Sequence, residues 1–198
     1  KHVIVAVASE LESRAMSIPV VVDPVMVAKG GASLLREDAR TALIERLIPL
    51  CALLTPNLPE AAALTGLPAE DEADMDRLAD ALLELGAAAV LVKGGHLASD
   101  RIVDLLRTAD GLEHRFESKR IVTRSSHGTG CTLASAIATG IAEGMTLVSA
   151  IDRARTFVRR ALEFAPGLGA GHGPLHHGWP ITHPEAQRTP AKQVFQGE

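Results

Sequence analysis

The chain has 198 residues, 46% of them apolar, which is enough for one hydrophobic core and argues against disorder. A net charge of -4, one Trp and no Tyr disfavour nucleic-acid binding through broad electrostatic attraction or aromatic stacking. No apolar run approaches the roughly 18 residues of a membrane span. Two cysteines in different sequence contexts do not indicate a disulfide framework, so we expect a cytoplasmic protein.

The first part of the chain predicts helices that alternate with short buried strands. Apolar spacing predicts a helix over residues 3–14 and another over residues 38–47. Continuous apolar runs predict parallel-sheet strands over residues 18–22 and 51–55. Asp23 follows the first strand directly. Ligands of open α/β sheets bind at such strand ends, although an Asp that caps a turn occupies the same position.

The segment after the second strand opens a helix that ends near Gly66. Asn57 can cap this helix while Glu60 reaches back to it, as in a capping box. Because Glu60 again lies just past a strand end, it is also a candidate ligand for a hydrated Mg²⁺ ion. Earlier in the chain, Lys29 lies in a loop next to two glycines, where it faces either a phosphate or solvent.

A third helix, a third strand and a hairpin follow. The helix is predicted over residues 74–85. Its acidic start is interpreted as a solvated face that the helix dipole stabilises. A buried strand over residues 88–92 ends in Lys93, a candidate phosphate contact. Residues 102–106 and 112–117 predict a hairpin.

The most informative stretch is a glycine-rich turn that runs into a helix after Ser126. Gly128 and Gly130 have no Cβ, so their backbone can turn sharply and approach a ligand. A helix start directs N–H groups and the positive end of the dipole at one spot, which suits a phosphate. Cys131 lies on the first helical turn, where the thiolate is favoured. The alternative is an ordinary turn with a buried cysteine that packs as a small hydrophobe.

The composition changes after the last predicted helix, which spans residues 147–164. Residues 1–178 are expected to form one domain, and the polar residues 179–198 an irregular or partly disordered tail. Four histidines in this region lack the spacing and the companion ligands of a metal site: His172, His176, His177 and His183.

Four stretches resemble, in type, order and spacing, the hydroxymethylpyrimidine/phosphomethylpyrimidine kinases of thiamine biosynthesis. They are VVVDPVMVAK at 20–29, TPNLPEA at 55–61, VLVKGGH at 90–96 and HGTGCTL at 127–133, and GHGPLHH at 171–177 is a further match. The resemblance covers residues 18–177 and implies the ribokinase-like fold, with three α/β/α layers around a mainly parallel sheet. The family's first, glycine-rich strand does not precede Lys1, so we expect that the N-terminal part of the domain is missing from this sequence.

The resemblance implies a kinase that uses ATP and Mg²⁺ to phosphorylate hydroxymethylpyrimidine and then its monophosphate. It implies that the transferring phosphoryl group lies in an anion hole formed by Gly128, Thr129, Gly130 and Cys131. The family's cysteine is taken as the base for the substrate hydroxyl, but Cys131 could instead only orient that hydroxyl. ATP would be contacted by Lys93, Gly94 and Thr129.

The resemblance also implies the remaining ligands of the site. Asp23 and Glu60 would hold Mg²⁺ mostly through water, and the pyrimidine would lie close to Val25, Met26 and Cys131. A homodimer is implied, with a small-molecule pyrimidine as the partner and neither nucleic acid nor membrane.

Three other functions stay open at this point. Pyridoxal kinase activity is possible on the same fold, because pyridoxal also carries a hydroxymethyl group on an aromatic nitrogen ring. A non-catalytic remnant would bind a nucleotide or a pyrimidine without turnover. Covalent catalysis by Cys131 would need a nearby base, for which His127 is the adjacent candidate, but it would leave the three other motifs unexplained.

Overall fold

The computed structural model describes residues 1–13, 18–26 and 34–187. Lys29 and the last part of the expected tail, residues 188–198, lie outside the described residues. The chain forms two compact units, an N-terminal unit, Lys1–Arg120, and a C-terminal unit, Ile121–Glu198. No helix among the described residues is both long enough and apolar enough to cross a membrane.

The N-terminal unit holds four helices and all five strands of the described residues. Its helices are α1 (His2–Ser13), α2 (Glu37–Ala42), α3 (Leu58–Thr65) and α4 (Asp74–Glu84). Its strands are β1 (Val21–Val22), β2 (Leu53–Leu54), β3 (Ala89–Lys93), β4 (Arg101–Thr108) and β5 (Glu113–Lys119). The order of elements therefore follows the predicted alternation of helices and strands.

The five strands form one mixed sheet in the order β1-β2-β3-β4-β5. The pairs β1–β2 and β2–β3 are parallel, whereas β3–β4 and β4–β5 are antiparallel. Because β4 alone is reversed, four of the five strands run in the same direction, and the mainly parallel sheet is confirmed. The carboxyl ends of β1, β2 and β3 consequently meet at one edge of the sheet, where open α/β sheets bind ligands.

The lengths of several elements differ from the prediction. β1 and β2 have only two residues each, although Val20 extends the pairing by accepting hydrogen bonds from the N–H groups of Ala52 and Leu53. The helix predicted over residues 38–47 is α-helical only in α2, and it continues through a π turn and a 3-10 turn that ends at Leu50. Pro49 lies in this last 3-10 turn, so its missing N–H removes no hydrogen bond from α2 itself.

The core of the N-terminal unit lies between the sheet and helices α3 and α4. Leu78 and Leu82 of α4 are fully buried, as are Val90 and Val92 of β3. The interpretation of the acidic start of α4 as solvated is wrong for Asp74, which is itself buried. Backbone N–H groups, that of Glu70 foremost, and then the Arg77 guanidinium hold the pKa of the Asp74 carboxyl below its usual range.

The C-terminal unit is built on the helices α5 (Thr129–Ala142) and α6 (Leu147–Glu163), which pack against each other. A short helix, α7 (Trp179–Thr182), and a 3-10 turn, Pro184–Gln187, follow. The expectation of an irregular tail is therefore wrong for residues 179–187. The physical reason is Trp179, which is buried against Ala161 and Leu175 and donates from Nε1 to the carbonyl oxygen of Phe157 at 3.2 Å.

Candidate functional site

Asp23 and Lys93, both predicted as site residues at strand ends, meet at the carboxyl edge of the parallel strands. Lys93 Nζ lies 2.9 Å from Asp23 Oδ1, and each of the two side chains is only 13% exposed. The hydroxyl of Thr55, which follows β2, also donates to Asp23 Oδ1 at 3.2 Å. Three residues at the ends of three adjacent strands thus form one polar cluster, as expected for residues at the same edge of a sheet.

Glu60 forms the predicted capping box at the start of α3. Its Oε2 accepts from the backbone N–H of Asn57 at 2.9 Å, and its own N–H donates to Asn57 Oδ1 at 2.9 Å. Burial raises the pKa of the Glu60 carboxyl above its ordinary value. The backbone of Asn57 and the charge of Lys93 oppose this rise, while the charge of Asp23 adds to it. Glu60 therefore belongs electrostatically to the same cluster.

The donor set of this cluster fits a hydrated Mg²⁺ ion. Mg²⁺ usually keeps several waters and takes one or two carboxylates from the protein, and Asp23 and Glu60 supply two. Among the described residues, no three His, Cys, Asp or Glu side chains lie close enough together to hold a metal ion. The cluster thus suits an ion bound mostly through water and does not suit one enclosed by protein ligands.

Asp104, which no sequence motif identified, holds the turn after Lys93 in place. Asp104 of β4 is only 7% exposed, and its Oδ1 accepts from the N–H of Gly94 at 3.0 Å. A Cβ on Gly94 would lie 2.0 Å from the carbonyl oxygen of Val103, so this approach requires glycine. A lone acid inside the apolar run Ile102–Leu106 was the signal that could have identified Asp104.

A second overlooked residue, Arg120, fixes the loop that follows. Its guanidinium donates to three backbone carbonyl groups, those of Gly95 at 3.0 Å, Leu97 at 2.6 Å and Ser99 at 2.7 Å. Backbone acceptors leave no side-chain pattern in a sequence, so nothing in the sequence pointed to this role. Asp104 and Arg120 together hold the backbone that begins at Lys93.

Two of the three residues expected near the pyrimidine, Val25 and Met26, differ in their surroundings. Val25 is 45% exposed, whereas Met26 is only 4% exposed and packs in the core of the N-terminal unit. The backbone of Met26 contributes to lowering the pKa of Glu60, which places it beside the polar cluster. A side-chain contact of Met26 with a substrate stays a prediction, and Val25 is the more accessible of the two.

The C-terminal unit carries the glycine-rich helix start. Gly128 caps α5 with φ +84°, a left-handed backbone that favours glycine, whereas Gly130 is already helical. The helix begins at Thr129, and the N–H of Thr132 donates to Gly128 O at 2.9 Å, so Cys131 lies on the first turn as predicted. Since Gly128 has no side chain, no side-chain cap covers this end. First-turn N–H groups have no helical acceptor and attract anions.

Cys131 lies on this first turn and is exposed, while Cys51 is buried in the core. Burial raises the pKa of the Cys51 thiol to about 12, which makes it a packing residue with no tendency to ionise. The alternative interpretation of Cys131 as a buried small hydrophobe is therefore wrong. Its thiol is accessible at the position where a helix N-terminus favours the thiolate.

A groove of about 620 Å³ runs from Cys131 along the contact between α5 and α6. Its α5 wall includes Thr132 and Ala136, and its α6 wall includes Ala154 and Phe157. The surface of the groove is mostly apolar beyond the polar helix start. Such a groove fits an elongated ligand with an anionic end and an apolar or aromatic end.

The comparisons with known proteins agree with this geometry. The family model described as phosphomethylpyrimidine kinase matches residues 1–176. A hydroxymethylpyrimidine/phosphomethylpyrimidine kinase of Rhizobium meliloti is 52% identical over 160 residues, which are 79% of this chain and 60% of that protein. The chain thus spans about three fifths of the length of this curated relative.

Two solved structures are also similar. The ADP complex of Bacillus subtilis pyridoxal kinase superposes with a TM-score of 0.81 at 30% identity, covering 92% of this chain and 67% of that one. Phosphomethylpyrimidine kinase of Clostridium difficile superposes with a TM-score of 0.69 at 34% identity, covering 81% of this chain and 64% of that one. Both structures support the ribokinase-like kinase fold that the sequence motifs implied.

Proposed function

The chain belongs to the phosphomethylpyrimidine kinase family, and from this premise we propose that it is an ATP-dependent kinase. The proposed reaction transfers a phosphoryl group from ATP to the hydroxymethyl group of 4-amino-5-hydroxymethyl-2-methylpyrimidine. A second transfer to the resulting monophosphate gives the pyrophosphate used in thiamine biosynthesis. The observation that carries the proposal is the left-handed Gly128 at the start of α5, with the accessible Cys131 on the first turn.

The start of α5 supports phosphoryl transfer because the reaction needs positioned charge more than covalent chemistry. In the proposed reaction the N–H groups of Gly128, Thr129, Gly130 and Cys131 stabilise the negative charge on the transferring group. Cys131 then either accepts the proton of the substrate hydroxyl or orients that hydroxyl toward the phosphorus atom. A base in this position typically contributes about 10²- to 10⁴-fold to the rate.

The polar cluster of the N-terminal unit supports the binding of phosphates and of Mg²⁺. Lys93 would pair with phosphate oxygens of ATP beside the turn at Gly94, whose own N–H donates to Asp104. Asp23 and Glu60 would hold Mg²⁺ through its waters. When bound, this ion supplies charge neutralisation on the phosphate oxygens. Asp104 would keep the turn at Lys93 and Gly94 in place.

The groove between α5 and α6 supports the binding of the nucleoside part of ATP. With phosphates at the start of α5, the apolar length of the groove remains for the ribose and the base. Phe157 offers an aromatic face there, and Ala136 leaves space. We expect Ala136→Trp to raise the KM for ATP by roughly tenfold or more while the KM for the pyrimidine stays within about twofold.

Pyridoxal kinase activity is the second candidate, favoured by the higher TM-score of the Bacillus subtilis enzyme. The 52% identity to a hydroxymethylpyrimidine/phosphomethylpyrimidine kinase supports the pyrimidine instead. The test compares ADP release by the full chain with Mg²⁺-ATP and each substrate in turn. A higher kcat/KM for hydroxymethylpyrimidine supports the proposal, and a higher kcat/KM for pyridoxal overturns the substrate assignment. Nucleotide binding without turnover of either substrate would instead show a binding remnant.

The homodimer implied by the resemblance and the cytoplasmic location expected from the cysteine content stay predictions. Sedimentation equilibrium of the full chain at several concentrations tests the homodimer, since a dimer would have twice the mass of the 20.8 kDa chain.

A further inference from the structure

Residues 171–177, which include three histidines that the proposed reaction does not use, pack against the loop that precedes α5. The N–H of His127 donates to the carbonyl oxygen of Gly173 at 3.2 Å, and the N–H of Gly173 donates to that of Arg124 at 3.2 Å. A Cβ on Gly173 would lie 2.8 Å from Ser125 Oγ, so the two segments are in close contact. This segment is therefore fixed against the loop from which α5 begins.

His177, at the end of this segment, contacts the first turn of α5. Its Nε2 lies 2.9 Å from Thr132 Oγ1, and the same hydroxyl lies 2.8 Å from the carbonyl oxygen of Gly128. A hydroxyl has one proton, and the carbonyl oxygen can only accept. The Thr132 proton is thus directed at Gly128, so His177 Nε2 carries a proton and donates to Thr132. The tautomer of the neutral ring follows from this network.

The position of His177 in the groove determines what it can bind. Two side chains that can carry positive charge line the groove among the described residues, Arg153 and His177. Arg153 already forms an ion pair with Glu143. The His177 ring is instead held by the neutral hydroxyl of Thr132. Through its contact with Thr132, the neighbour of Cys131, the ring lies at the end of the groove where α5 begins.

We propose that His177 is a nucleotide-binding residue that contacts the polyphosphate of a nucleoside di- or triphosphate where the polyphosphate enters the groove. The inference rests on the proposed function, because that function places the phosphates at the start of α5. The imidazolium form carries a proton on both ring nitrogens. In that form Nδ1–H would donate to a phosphate oxygen while Nε2–H keeps its hydrogen bond to Thr132.

The test uses the full chain and two adjacent histidines. His177→Ala removes the ring from the groove, whereas His176→Ala is the matched control. His176 Nε2 contacts Thr182 Oγ1 at 2.8 Å, and His176 is absent from the lining of the groove. The first measurement is the dissociation constant for ADP by calorimetry, and the second is the KM for ATP and for hydroxymethylpyrimidine.

We expect His177→Ala to weaken ADP binding and raise the KM for ATP by roughly tenfold or more, the loss of one charge-assisted hydrogen bond. The KM for the pyrimidine and the values for His176→Ala should stay within about twofold of the unsubstituted chain. His177→Gln retains a donor for Thr132 but no charge, so it should show the same loss of ADP affinity. Emission from the single Trp, Trp179, reports whether this part of the chain remains packed.

The outcomes separate this inference from the function on which it rests. An unsubstituted chain that neither binds ADP nor turns over would contradict the proposed function. An active chain whose His177→Ala variant keeps its ADP affinity would overturn the role of His177. A His177→Gln variant with full ADP affinity would overturn the role of its charge.

Discussion

The pair Lys93–Asp23 gives the most direct quantitative prediction for the N-terminal unit. At a separation of 2.9 Å and an effective dielectric constant of about 20, two unit charges attract each other by about 6 kcal/mol. The cost of desolvating both ions offsets much of this attraction, so the net value of the pair is small. Removing one partner is different, because it leaves the other charge uncompensated at 13% exposure.

We therefore expect Lys93→Met to lower the free energy of unfolding by about 2–4 kcal/mol, slightly less than the roughly 3–5 kcal/mol of a fully buried pair. The double variant Lys93→Met/Asp23→Asn should recover most of this loss, because neither charge remains. Lys119→Met, at an exposed lysine of β5, is the control and should change stability by less than about 0.5 kcal/mol.

The assay is urea unfolding of the full chain followed by circular dichroism, because the only Trp lies in the other unit. A Lys93→Met variant as stable as the Lys119→Met control would refute the reasoning, since it would mean that solvent screens the pair. A double variant less stable than Lys93→Met would refute it as well. In that case the residues would contribute through packing and not through charge.

Three further predictions concern the site. Burial raises the pKa of the Glu60 carboxyl above its ordinary value, so the stability that this group contributes falls as pH rises through the folded-state pKa. Glu60→Gln should remove that pH dependence and raise the Mg²⁺ requirement, whereas Glu60→Ala should also lose about 1 kcal/mol with the cap; pH-dependent urea unfolding and Mg²⁺ titration measure these effects. Cys131→Ala should reduce kcat by about 100-fold or more with the KM for ATP within about threefold, and steady-state kinetics with near-normal kcat would exclude Cys131 as the base. Asp104→Ala should leave the buried N–H of Gly94 without its acceptor at a cost of about 1–3 kcal/mol in thermal or urea unfolding, while Asp104→Asn, which keeps an oxygen there, should lose clearly less.

Local signals in the sequence predicted much of the fold. The capping box of Asn57 and Glu60 and the hairpin around Gly111 depend on neighbours in the chain, and the structure confirms both. The short lengths of β1 and β2 were not predictable, because pairing depends on partners far along the chain. The packing of Trp179 was missed for the same reason, since its partners include Phe157 and Ala161 of α6.

The candidate site likewise contains some residues that the sequence could predict and others that it could not. Asp23 and Lys93 could be predicted as neighbours because both follow buried parallel strands, and the structure joins them in an ion pair. Arg120 could not, because its three acceptors are backbone carbonyl groups more than 20 residues earlier in the chain. The contact of His177 with Thr132 spans 45 residues and depends on how residues 171–177 pack against α5.

The central claim is that this chain phosphorylates hydroxymethylpyrimidine twice, with Cys131 at the reacting centre. The most direct measurement is mass analysis of the products over time, with the full chain, Mg²⁺-ATP and hydroxymethylpyrimidine, alongside the Cys131→Ala variant. The account predicts that a monophosphate appears first and is converted to the pyrophosphate, and that both steps slow strongly in the variant. Contradiction would come from a chain that binds ADP but forms neither product, or from a variant that forms both at the unsubstituted rate.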